Sequence, residues 1–137
     1  MEHNKVTIGG ETFRLFYNVK TSANLLETQR PGMSISSLVD TNRLQDLVLI
    51  LVAGLDETHE KDKRGQLTST ALTNMAEKIV DLVDVELEKG ETDLATLFLP
   101  VKRAIGESGI MGRQFVFLDD GRVQLALGKA SSVTAAS

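Results

Sequence analysis

Residues 44–55, Leu-Gln-Asp-Leu-Val-Leu-Ile-Leu-Val-Ala-Gly-Leu, constrain this chain more than any other stretch of it. At helical spacing Leu44, Leu47, Val48, Leu51 and Leu55 form one face. Leu49, Ile50 and Val52 then widen that face until little polar surface remains. A helix that is apolar nearly all round lies either at the centre of a fold or in an oligomer interface. Thr41 or Asn42 is its expected N-cap. The apolar run is far shorter than the ~20 residues of a membrane span, so the rest of the chain, or a second copy of it, has to cover this helix.

The chain has the material to do so. Its 137 residues fit one domain with at most a small appended element, and 42% of them are hydrophobic. Aromatics make up 4% and Trp is absent, so Phe13, Phe16, Phe98, Phe115 and Phe117 carry much of the bulky packing in a core of Leu, Val, Ile and Ala.

Local patterns place the other elements. Val6, Ile8, Phe13 and Leu15 alternate with Lys5, Thr7, Thr12 and Arg14 around Gly9-Gly10, which predicts a β-hairpin with Val6 opposite Phe13 and Lys5 opposite Arg14. Residues 17–30 read as a helix with Val19, Ala23 and Leu26 on one stripe, ended by Pro31-Gly32. Residues 33–39 are too Ser-rich to assign. Residues 56–66 are charged, end near Gly65 and read as a solvated loop. Thr68 caps a third helix with the stripe Leu72, Met75, Ala76, Ile79, Leu82, Val83 and Leu87, closed by Lys89-Gly90. Asp93 opens a fourth, in which Pro100 predicts a kink or break near Leu99. A second hairpin is expected at 114–127. A three-residue loop, Asp119 to Gly121, groups Phe115, Phe117, Val123 and Leu125 on one side better than a two-residue loop does. The expected fold is therefore mainly α within the α+β class: about four helices with an N-terminal and a C-terminal β-hairpin. In domain terms, 1–109 form a hairpin plus helical domain, 110–128 an appended hairpin and 129–137 a flexible tail.

The chemistry-bearing residues do not assemble into a catalytic or metal motif. With no cysteine there are no disulfides, thiolate sites or thiol nucleophile. His3 and His59 have no partner at metal-ligand spacing and read as two exposed imidazoles. Gly9-Gly10 and Gly106-Glu107-Ser108-Gly109 lack the spacing that arranges amides around phosphate. Asp119-Asp120 reads as turn chemistry, and Asp56, Glu57 and Glu60 as a wet loop. Accordingly no catalytic residue, cofactor or metal is expected. Net charge is −4 and the nearest basic cluster, Lys61-Asp62-Lys63-Arg64, contains an acid, which argues against nucleic-acid binding. The first residues lack the layout of a signal peptide, so the expected location is the cytoplasm, with no membrane association.

What remains is apolar surface. Leu47 and Leu51 on the central helix, and Phe115, Phe117, Val123 and Leu125 on the second hairpin, either pack against one another or wait for another chain. As partner-binding residues they predict protein binding and self-association.

The start, Lys5-Val6-Thr7-Ile8-Gly9-Gly10-Glu11-Thr12-Phe13-Arg14-Leu15-Phe16-Tyr17-Asn18, resembles the opening of tail assembly chaperones of long-tailed phages and prophages. In that family a short hairpin leads into helices, and a Leu-rich helix follows, as at Leu47 to Leu55; Leu67-Thr68 before Leu72-Thr73-Asn74-Met75 is similar to a later helix opening. The likeness covers roughly the first ninety residues by order of elements. Residues 19–30 are more polar than the corresponding helix of the family, and the hairpin at 114–127 lies outside its pattern. The resemblance implies a non-catalytic protein of the bacterial host cytoplasm. It would bind the tape measure protein and other tail proteins before the tail tube polymerises, and be missing from the finished virion. The alternative is a structural virion component such as a minor tail or neck protein.

Overall fold

The computed structural model describes residues 5–110, together with the backbone of two short strands at 115–117 and 123–125. Strands β1 (Lys5–Ile8) and β2 (Glu11–Arg14) come first, then a π-helical turn (Val19–Ala23) that runs into α1 (Asn24–Gln29). After them come α2 (Ile35–Asp40), α3 (Leu44–Ala53), α4 (Asp56–Lys63), α5 (Ser69–Glu88), α6 (Leu94–Leu97) and α7 (Leu99–Ser108), with β3 (Phe115–Phe117) and β4 (Val123–Leu125) beyond. The described residues are thus mainly helical with an N-terminal antiparallel pair of strands, but they contain seven helices where about four were expected. β3 pairs antiparallel with β4, Phe115 opposite Leu125 and Phe117 opposite Val123. The rest of the hairpin expected there, its loop and side chains included, lies outside the described residues.

The first hairpin has the predicted register, with Val6 opposite Phe13 and Lys5 opposite Arg14. Gly9 and Gly10 take φ of +59° and +88°, the positive values that a two-residue hairpin loop of this kind requires. Gly9 is needed for space as well: a Cβ there would lie 2.9 Å from the Leu82 carbonyl oxygen. Its amide donates to Glu86 Oε1 at 2.9 Å, which pins the hairpin tip to α5. Val6 and Ile8 face inward while Lys5 and Thr7 face out.

Helix α3 is the centre of the core. Leu47, Ile50, Leu51 and Ala53 have no exposed surface, and Val48 and Val52 almost none. Burying a helix end leaves its last carbonyls without water, so each needs a donor from elsewhere. Tyr17 Oη donates to Ile50 O at 2.8 Å, in place of the Gly54 amide, which bonds Leu51 O at 3.0 Å instead. Val52 O accepts from Thr58 Oγ1 at 2.6 Å and from the Leu55 amide at 3.2 Å. Ala53 O accepts from Ser22 Oγ at 2.7 Å, and Gly54 O from the Phe16 amide at 2.9 Å. Three hydroxyls from two separate stretches of the chain, residues 17–22 and Thr58, thus close one helix end. Gly54 makes room for the first of them: a Cβ there would sit 2.4 Å from Cζ of the Tyr17 ring.

Several sequence expectations are corrected. Residues 17–30 are not one helix: Asn18 Oδ1 accepts from the amides of Thr21 and Ser22, and the π turn that follows shifts the phase of the side chains. Val19, expected on the inner stripe, is therefore 69% exposed, while Tyr17, Ser22, Leu25 and Leu26 are buried. The Ser-rich stretch forms α2, with Ser34 accepting from the Ser37 amide as its N-cap. Neither Thr41 nor Asn42 caps α3; its N-cap is Arg43, and Thr41 instead closes α2. Residues 56–63 are helix α4, not loop. Asp56 and Glu57 stand at its N-terminus and Lys61 and Lys63 at its C-terminus, the order that suits the helix dipole. Glu57 and Lys61 lie 3.9 Å apart, and Glu60 and Arg64 3.3 Å. α5 begins at the Thr68 cap and ends before Gly90 as predicted. The Asp93 helix breaks at Phe98, next to the expected Leu99, with Pro100 in the first turn of α7, where its missing amide costs nothing.

Candidate functional site

An open cleft of about 540 Å³ runs between α3 and α5, with the end of α1 at one side. Its floor is Val48, Leu49 and Val52 from α3 and Leu72, Ala76 and Val80 from α5. Val48 and Val52 are core residues seen from outside, and the other four are half-buried. The reason is geometric. On α5 the residues Met75, Ile79 and Val83 point into the core, whereas Leu72, Ala76 and Val80 form a parallel i, i+4, i+8 row one step round the helix. Ala76 stands between two larger residues in that row and leaves a hollow.

The two lips differ in charge. On the α5 side stand Thr73, Glu77 and Asp81; on the other, Gln29, Arg30 and Gln45. Arg30 is already engaged, its Nε 2.9 Å from Asp46 Oδ1 in the first turn of α3. Glu77 and Asp81 form no hydrogen bond or ion pair with any described residue.

Leu47 and Leu51, picked out from sequence, do not line the cleft. Both lie wholly inside the core, so they offer no surface to a partner, and the reason for expecting self-association through this helix goes with them. Phe115, Phe117, Val123 and Leu125 lie on the paired strands, with side chains outside the described residues. His59, expected to be free in solvent, packs its ring 5.3 Å from that of Phe16, and its Nε2 lies 2.8 Å from Phe16 O. Its Nε2–H is the donor in that contact, because a carbonyl can only accept. The glycines at 106–109 belong to the end of α7, where Gly109 has φ of +83°, and make no phosphate loop. His3 and Asp119-Asp120 lie outside the described residues. The cleft itself was partly legible: Leu72, Ala76 and Leu49 all stand in the apolar stripes, but Val80 and the row of unpaired acids beside it went unread.

Among the described residues no group of three His, Asp or Glu side chains could hold a metal ion, and no helix is long and apolar enough to cross a membrane. No protein-family model matches the chain, and neither does any curated protein or solved structure.

Proposed function

We propose that this chain is a non-catalytic protein-binding protein, a tail assembly chaperone that holds the tape measure protein before the tail tube polymerises. The observation that carries the reading is the cleft between α3 and α5: an apolar floor open to solvent, on an acidic body of net charge −4. A client with exposed apolar helices needs such a surface to remain in solution, and the charged exterior keeps the complex from associating further. The resemblance of residues 5–18 and 47–55 to tail assembly chaperones gives the client its identity. In this reading the protein works in the cytoplasm of the bacterial host and leaves before the virion is complete.

The test is co-expression with the tape measure protein encoded in the same genome. The client should stay soluble with this chain and precipitate without it, and mass spectrometry of purified particles should find the client but not this chain. Retention in particles at a fixed ratio to other tail proteins would overturn the chaperone reading in favour of a minor tail or neck protein.

A further inference from the structure

We infer that the cleft between α3 and α5 is a docking groove for one amphipathic helix of a partner, its apolar side down and its Lys or Arg side chains along the lip formed by Glu77 and Asp81. The inference rests on the protein-binding reading above and specifies the chemistry of the partner. Three observations carry it.

The first is the backbone. The floor and the α5 lip are made of side chains on helices, whose amides and carbonyls are already bonded, within those helices or, for Val52 O, to Thr58 and Leu55, so no strand edge is available there. An occupant must satisfy its own backbone, which a helix does and an extended segment does not. The second is shape. Leu72 to Val80 spans about 12 Å of α5 at 1.5 Å per residue, the length over which a helix presents apolar side chains at i, i+3 or i+4, and i+7. The hollow over Ala76 receives the middle one.

The third is charge, and it sets polarity across the groove. Glu77, Asp81, Asp84 and Glu88 repeat at i, i+4, i+7 and i+11 on the outer side of α5, all exposed and none paired with a described residue. Like charges at this spacing repel one another within the helix. The opposite lip carries two neutral amides and an arginine already held by Asp46. A basic flank on the α5 side relieves the repulsion; a second acidic flank adds to it.

The experiment uses the full chain and two labelled synthetic helices with identical Leu and Ala faces, one flanked by Lys and the other by Glu, read by fluorescence anisotropy. The Lys helix should bind, and the Glu helix should bind at least about tenfold more weakly. The double variant Glu77→Lys with Asp81→Lys changes only exposed positions and should reverse that order with an unaltered helical signal. Ala76→Leu fills the hollow and should weaken both helices; its melting curve separates lost binding from lost fold. Equal binding of the two helices, binding of neither, or an order that survives the charge reversal would overturn the groove. So would a dimer of the chain alone that the double variant dissociates, since a second copy would then be the occupant. Binding of neither helix by a chain that still keeps the tape measure protein soluble would overturn the groove and spare the chaperone reading. Helix binding as described, without any effect on that client, does the reverse.

Discussion

Replacing Tyr17 with Phe removes one oxygen atom from the least replaceable contact at the end of α3. The ring stays, so the packing over Gly54 is kept, and only the hydroxyl that donates to Ile50 O at 2.8 Å is lost. That carbonyl has no substitute donor, because the Gly54 amide is turned to Leu51 O, and the side chain above it is only 6% exposed. A buried acceptor left without a partner costs about 1–3 kcal/mol, which for a domain of this size lowers Tm by about 3–12 °C. Urea and thermal melts followed by helical circular dichroism measure it; the urea midpoint should fall with the slope unchanged. The same phenol predicts a pH effect. Burial pushes its pKa well above the ordinary value of 10.0, so the native state keeps a proton that the unfolded chain releases. Stability is therefore fully present below about pH 10 and falls as pH rises above it, by up to about 1.4 kcal/mol per pH unit, and this component is missing in Tyr17→Phe. With one tyrosine and no tryptophan in the chain, tyrosinate absorbance follows this group alone. Absorbance rising near pH 10 while the helical signal persists, or a variant as stable as the parent, would refute the reasoning.

Gly54→Ala should destabilise by about 1–3 kcal/mol through the 2.4 Å approach of its Cβ to the Tyr17 ring, and by less in a Tyr17→Leu background; a double-mutant cycle reads the coupling. Leu51→Ala, at a fully buried position, should cost about 2–5 kcal/mol, whereas Val19→Ala on the exposed outer side of the π turn should stay within about 0.5 kcal/mol; equal losses in denaturant melts would contradict the burial of α3. Thr58→Val keeps the shape of a side chain with no exposed surface and removes its bond to Val52 O. Because the Leu55 amide still reaches that carbonyl at 3.2 Å, the loss should be about 1 kcal/mol, smaller than for Tyr17→Phe in the same melts.

The features readable from the sequence are those decided within a few residues. The register of the first hairpin follows from Gly-Gly and strict alternation, and the limits of α5 from Thr68 and Gly90; each is a local choice of backbone angle or cap. That α3 must be covered was legible too, since an all-apolar helix cannot stay in water; only the fold shows that its own chain, and not a second copy, covers it. Residues 56–63 are not legible as a helix because Asp-Glu-Thr-His-Glu-Lys-Asp-Lys has no apolar period. What holds them as a helix includes contacts beyond its own turns, Thr58 on Val52 O and His59 on Phe16 O. The cleft was half readable: its apolar row repeats along α5, but whether that row meets the core or solvent depends on how far α3 and α1 cover it. Pattern counts one helix's faces and says nothing of its neighbours. The same limit hid the closure of α3. Tyr17 and Ser22 reach its last carbonyls from 33 and 31 residues away, and only the packed chain brings a hydroxyl to an acceptor over that separation. Sequence determined which helix had to be buried; tertiary structure decided which groups would complete its hydrogen bonds, because those bonds depend on positions in space that no local rule sets.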